Sequence, residues 1–151
     1  MKLVENFFDL VNNAFAPLQS AYNLSICSVT DCEVVVAGGN FMLLIWLDFD
    51  GVSIKYCENS KSGDLAITDV GYYLIVKRKW VVDDSLQHSS DFTHMVKHSL
   101  LAFVRNLESQ ASDILRGEKQ WLKDVVGRQT YLDKSHAESI LAAIYRSGKR
   151  L

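Results

Sequence analysis

The stretch Phe41-Met42-Leu43-Leu44-Ile45-Trp46-Leu47-Asp48-Phe49-Asp50-Gly51-Val52 decides how the rest of the chain is read. Its apolar run from Phe41 to Leu47 is far too short to span a bilayer and suits one strand. Beyond Gly51, Val52, Ile54 and Tyr56 alternate with Ser53, Lys55 and Cys57, the period of a half-buried strand with one wet face. Asp-Gly between two β runs is a strong hairpin signal. The reading is a hairpin in which Asp50-Gly51 forms a two-residue turn joining Phe41–Phe49 to Val52–Glu58, with Gly51 at positive φ.

Outward from that hairpin, Leu24 to Val29 and Glu33 to Ala37 read as two further strands, punctuated by Asp31 and by Gly38-Gly39-Asn40. Before them, Val4, Phe7, Phe8, Val11, Ala14, Phe15 and Leu18 recur at helical spacing, and Pro17 is expected in the last turn. After the polar loop from Asn59 to Asp64, Asp69 can cap a short helix running to Lys79, whose cations suit a helix C-terminus; the alternative is a fifth strand, Tyr72 to Arg78. The spacing then predicts a long helix over Phe92–Arg116, capped by Ser90 or Asp91 and closed by Gly117 at C′. A shorter helix follows around Trp121, Leu122 and Val125. Ser135-His136-Ala137-Glu138 fits a capping box ahead of Ile140, Leu141, Ile144 and Tyr145. This is one α+β domain over 1–151: an N-terminal helix, an antiparallel meander of four to five strands, and C-terminal helices packed on the sheet.

The Phe41–Val52 string also resembles the first motif of haloacid-dehalogenase-type phosphatases. That resemblance implies a nucleophilic Asp48, an acid/base Asp50 and a phosphate-holding magnesium ion, with Thr68, Lys77 and Asp83-Asp84 following in the family's order. Spacing opposes it. The family sets its motifs at the ends of parallel strands, each crossover needing about 30 residues, whereas only 34 residues separate Asp50 from Asp84.

Composition excludes several classes. At 151 residues with 48% hydrophobic and 23% charged residues, the chain has ordinary globular make-up. Met1-Lys2-Leu3-Val4-Glu5-Asn6 is not a signal peptide, and Cys27, Cys32 and Cys57, odd in number and without CxxC spacing, suit reduced thiols in a cytoplasm. The formal net charge of −2 hides an asymmetry: residues 1–70 carry three basic and nine acidic side chains, residues 71–151 thirteen basic and nine acidic.

Further catalytic patterns fail in turn. His94 and His98, four apart on a helix, could share a metal, but they lie off the apolar stripe without a patterned third ligand. No GxSxG, P-loop or GxGxxG is present. Cys57 has no base supplied nearby in sequence. Lys77-Arg78-Lys79-Trp80 mixes cations with an aromatic as single-strand binders do, with Arg146, Lys149 and Arg150 as a basic tail, but the nine acids among them leave no continuous stripe and no tight nucleic-acid binding is expected. No cofactor, metal or membrane partner is expected either.

The order of elements resembles that of the small cytoplasmic immunity proteins paired with bacterial polymorphic toxins. Ala111-Ser112-Asp113-Ile114-Leu115-Arg116-Gly117-Glu118, followed by Trp121-Leu122, is similar to a helix–Gly–helix junction of many small bacterial α+β proteins. The resemblance implies a non-catalytic protein that neutralises a toxin, many such toxins being basic nucleases, and it transfers no site residue. From the residues themselves, Asp31, Glu33, Asp48 and Asp50 are the candidate partner-binding groups. They fall at strand ends or turns of the acidic half, where a scaffold displays binding side chains.

Overall fold

The computed structural model describes residues 3–59, 63–82 and 91–148; Asp83, Asp84, Ser90, Lys149 and Arg150 lie outside them. The elements run α1 (Phe7–Tyr22), β1 (Ser25–Thr30), β2 (Glu33–Ala37), β3 (Met42–Asp48), β4 (Gly51–Asn59), β5 (Leu65–Asp69), α2 (Val70–Lys77), α3 (Phe92–Gln110), α4 (Ser112–Leu115), a 3₁₀ turn (Gln120–Val125), β6 (Thr130–Tyr131) and α5 (Lys134–Arg146). The fold is α+β. Its six strands pair antiparallel in the order β1-β2-β3-β4-β5-β6, an uninterrupted meander, so the sheet exceeds the expected four to five strands.

The decisive hairpin forms one residue earlier than read. Asp48 pairs with Gly51, so the loop residues are Phe49 and Asp50, while Gly51 begins β4 at φ 125°. Asp48 sets this register: its Oδ1 accepts from the Asp50 N–H at 2.9 Å, a side-chain-closed turn. Glycine is required at 51 because an L side chain is strained at that φ.

Both faces of the central strands are covered. Val34, Val36, Leu43, Ile45, Ile54 and Tyr56 join the larger core under α1, α2, α3 and α4. Val35, Ala37, Met42, Leu44 and Cys57 pack instead with Ile140 and Ile144 of α5. The expected wet face is therefore dry at β2 and most of β3, which explains why Phe41–Leu47 reads as a continuous apolar run rather than an alternation.

Helix boundaries differ where side chains compete with the periodic pattern. Pro17 lies inside α1 rather than in its last turn; it and Asn13, whose carbonyl loses its helical donor, are both exposed, so water can serve that carbonyl. Asp69 caps α2, accepting from Tyr72 N–H, so Val70–Lys77 is a helix and not the alternative strand, and it ends short of the expected Lys79. The expected Phe92–Arg116 helix breaks at Ala111 (φ −144°, ψ 35°). The Gln110 carbonyl is taken by Arg78 Nη1 at 2.7 Å, and Ile114 N–H turns to Ala111 instead. Asp91, one of the two expected caps, is the N-cap of α3 and accepts from Thr93 N–H. Gly117 has the left-handed conformation expected of it, φ 82°. At α5 the cap is Asp133, which accepts from His136 N–H at 2.8 Å, so the helix starts ahead of the Ser135 capping box. No described helix is long and apolar enough to cross a membrane.

Candidate functional site

Three of the four carboxylates singled out from the sequence share one end of the sheet. Asp31 sits in the β1–β2 turn and Asp48 and Asp50 in the β3–β4 turn, all exposed. The meander puts both turns at the same end, where the Leu47 N–H donates to the Cys32 carbonyl at 2.9 Å. Asp31 also borders Phe7 and Phe8 of α1, whose first turn carries Asp9. None of Asp31, Asp48 and Asp50 makes an ion pair among the described residues.

Between Asp48 and Asp50 stands Phe49, 77% exposed. Sequence reasoning treated it as the end of a strand. The signal that could have found it was the turn register: only when Asp48 closes the turn does residue 49 become a loop tip rather than a half-buried strand position.

Glu33 is a correction. It is only 7% exposed, so it is not displayed at the turn end as expected. Its cross-strand neighbour Trp46 donates its indole N–H to the carboxylate, and His136 Nε2 of α5 lies 2.8 Å from Oε2. The Trp46 and His136 rings stack at 5.7 Å. A carboxylate placed against α5 must be hydrogen-bonded to be tolerated, and these partners commit Glu33 to joining helix to sheet.

The remaining constellations are also drawn into structure. In the basic group, the Arg78 guanidinium donates to both oxygens of Asp113 at 3.0 Å and to the Tyr73 hydroxyl, and Trp80 packs edge-on against Phe103; Lys77 and Lys79 stay exposed. Bonding from Arg78 holds the Asp113 carboxyl below its ordinary range, against an opposing contribution from burial. Lys119 Nζ donates to Tyr56 Oη (2.7 Å), Glu58 Oε2 (2.8 Å) and the Asn40 carbonyl (2.9 Å), which uses all three ammonium protons. Burial pushes the Cys57 thiol up to about 12, with the charges of Glu58 and Glu33 adding to it, so Cys57 is not a poised nucleophile. His94 and His98 have ring centroids 3.9 Å apart, yet no group of three or more His, Cys, Asp or Glu able to hold a metal occurs among the described residues. Asp48 ends an antiparallel hairpin strand, not the parallel strand that the phosphatase resemblance implies.

The turn end thus presents an exposed aromatic flanked by carboxylates that make no ion pair among the described residues. Compared with known proteins, the chain matches no family model, no curated protein and no solved structure.

Proposed function

We propose that the chain is a non-catalytic protein-binding domain that docks its acidic turn end onto a basic surface of another protein. The observation that carries this reading is Phe49 at 77% exposure between Asp48 and Asp50, with Asp31 on the neighbouring turn. An aromatic side chain supplies an anchor that fills a pocket, and the surrounding carboxylates steer it toward Lys and Arg and form charge-assisted bonds there. The two-residue loop holds Phe49 on a short turn, which lowers the ordering cost of docking. In its most specific form the partner is a small basic toxin in the same cytoplasm and this chain its antidote; the element order and the acidic first half support that form.

The test is capture from the native cell with the chain as bait, beside an Asp48→Lys/Asp50→Lys variant. A basic protein held by the parent chain, and lost or weakened about tenfold or more by the reversal, is the expected result. Equal retention by both baits overturns the assignment of the turn end. Hydrolysis of a generic phosphate ester with magnesium, abolished by Asp48→Asn, overturns the non-catalytic reading itself.

A further inference from the structure

A cavity of about 270 Å³ opens on the far edge of the sheet from the turn pair β1–β2, between the end of β5, α2 and the 3₁₀ turn. It is smaller than the roughly 300–1,000 Å³ of drug-sized sites and suits a single-ring ligand. Tyr72, Val76 and Val125 give it apolar walls. Thr68, 3% exposed, also lines it, and its hydroxyl has no hydrogen-bond partner among the described residues. Such a group is uncommon in a folded interior.

Charge decides the ligand class. Two carboxylates border the cavity, and both already have protein partners. Asp69 is paired with Lys55 at 2.9 Å and caps α2 through Tyr72 N–H. Asp124 accepts from the Tyr73 hydroxyl at 3.3 Å, and that hydroxyl in turn accepts from Arg78 Nε at 3.0 Å. The two bordering cations, Lys77 and Arg128, have no carboxylate partner among the described residues. Arg128 instead lies over the Tyr72 ring, 5.5 Å from its centroid. With Asp69 balanced by Lys55, Lys77 and Arg128 face the single charge of Asp124, leaving one positive charge over.

From this cavity we infer a binding site for a small aromatic monoanion, its ring between Tyr72 and Val125 and its carboxylate on Arg128 and Lys77. A guanidinium presents a planar fork that matches a carboxylate, and the cation–π contact with Tyr72 helps hold that fork in place. The inference is independent of the acidic turn end, and neither needs the other.

Titration of the full chain with benzoate, followed by ligand-observed NMR, tests it, with benzylamine as the cation of matching shape. Benzoate is expected to bind with a Kd of about 1 mM or tighter, and benzylamine not to saturate. Arg128→Gln should weaken benzoate about tenfold, and Lys77→Gln should weaken it by a smaller factor. Both residues are exposed, so thermal midpoints should match the parent and folding is not in question. No saturation by benzoate up to about 10 mM, benzylamine binding as tightly as benzoate, or unchanged affinity in Arg128→Gln each overturns the inference.

Discussion

Lys119 shows how one side chain can organise a region, since its ammonium ties the Asn40 carbonyl, Tyr56 and Glu58 together. Burial lowers its pKa, but the bonds to Glu58 and Tyr56 outweigh that and hold the ammonium above its ordinary range. Burial raises the Tyr56 hydroxyl as well, against the lowering effect of Lys119. The sign is the same for both. Each favours the protonated form in the folded chain, so the stability they add is present below their unfolded pKa values near 10 and is lost as pH rises through the folded ones. Thermal midpoints measured across the alkaline range should fall above about pH 10, and Lys119→Met should remove the lysine's share of that fall while leaving the share of Tyr56. At neutral pH the same variant should cost about 1–2 kcal/mol, reduced from a fully buried case because Lys119 is partly solvated. Cys57 offers a separate check: iodoacetamide at pH 8 should leave it unmodified in the folded chain and alkylate it after denaturation. Rapid native labelling at Cys57 would contradict its burial in the α5-side core.

At the scale of elements, strongly patterned segments were legible and segments fixed by distant partners were not. The α1 stripe, the alternation in β4, Asp69 as a cap and Gly117 as a C′ residue are local features, and each could be read from neighbours in sequence. β5 was hidden because Leu65-Ala66-Ile67-Thr68 is buried on both sides and shows no alternation, and β6 because two residues carry no period. The break at Ala111 was unreadable for a clearer reason. It depends on Arg78, 32 residues away, taking the Gln110 carbonyl. Gly117 tests the junction that follows. A Cβ there would lie 2.3 Å from Asn40 Oδ1, whose side chain also donates to the Gly117 carbonyl at 3.1 Å. With φ at 82°, Gly117→Ala is expected to lower stability by about 1–3 kcal/mol, read as a reduced denaturant midpoint with unchanged slope. An unaltered midpoint would show that the junction relaxes freely.

For the whole molecule, the meander does two things at once. It brings α1, α2, α3 and α4 onto one face and α5 onto the other, and it collects the β1–β2 and β3–β4 turns at a single end. Of the candidate site, Asp31, Asp48 and Asp50 were legible because turns sit at the surface, whereas Glu33 was misjudged because strand parity alone does not say that α5 covers that face. Phe49 was missed through a one-residue shift in the turn. The central claim is that this end docks a basic partner, with carboxylates governing encounter and Phe49 governing residence. Association and dissociation rates of the captured partner, measured on immobilised parent chain, Asp48→Lys/Asp50→Lys and Phe49→Ala at two ionic strengths, test it most directly. The charge reversal should slow association about tenfold or more at low salt and much less at high salt, while Phe49→Ala should speed dissociation with little change in association. Rates that are the same for all three chains at both salt concentrations would contradict it.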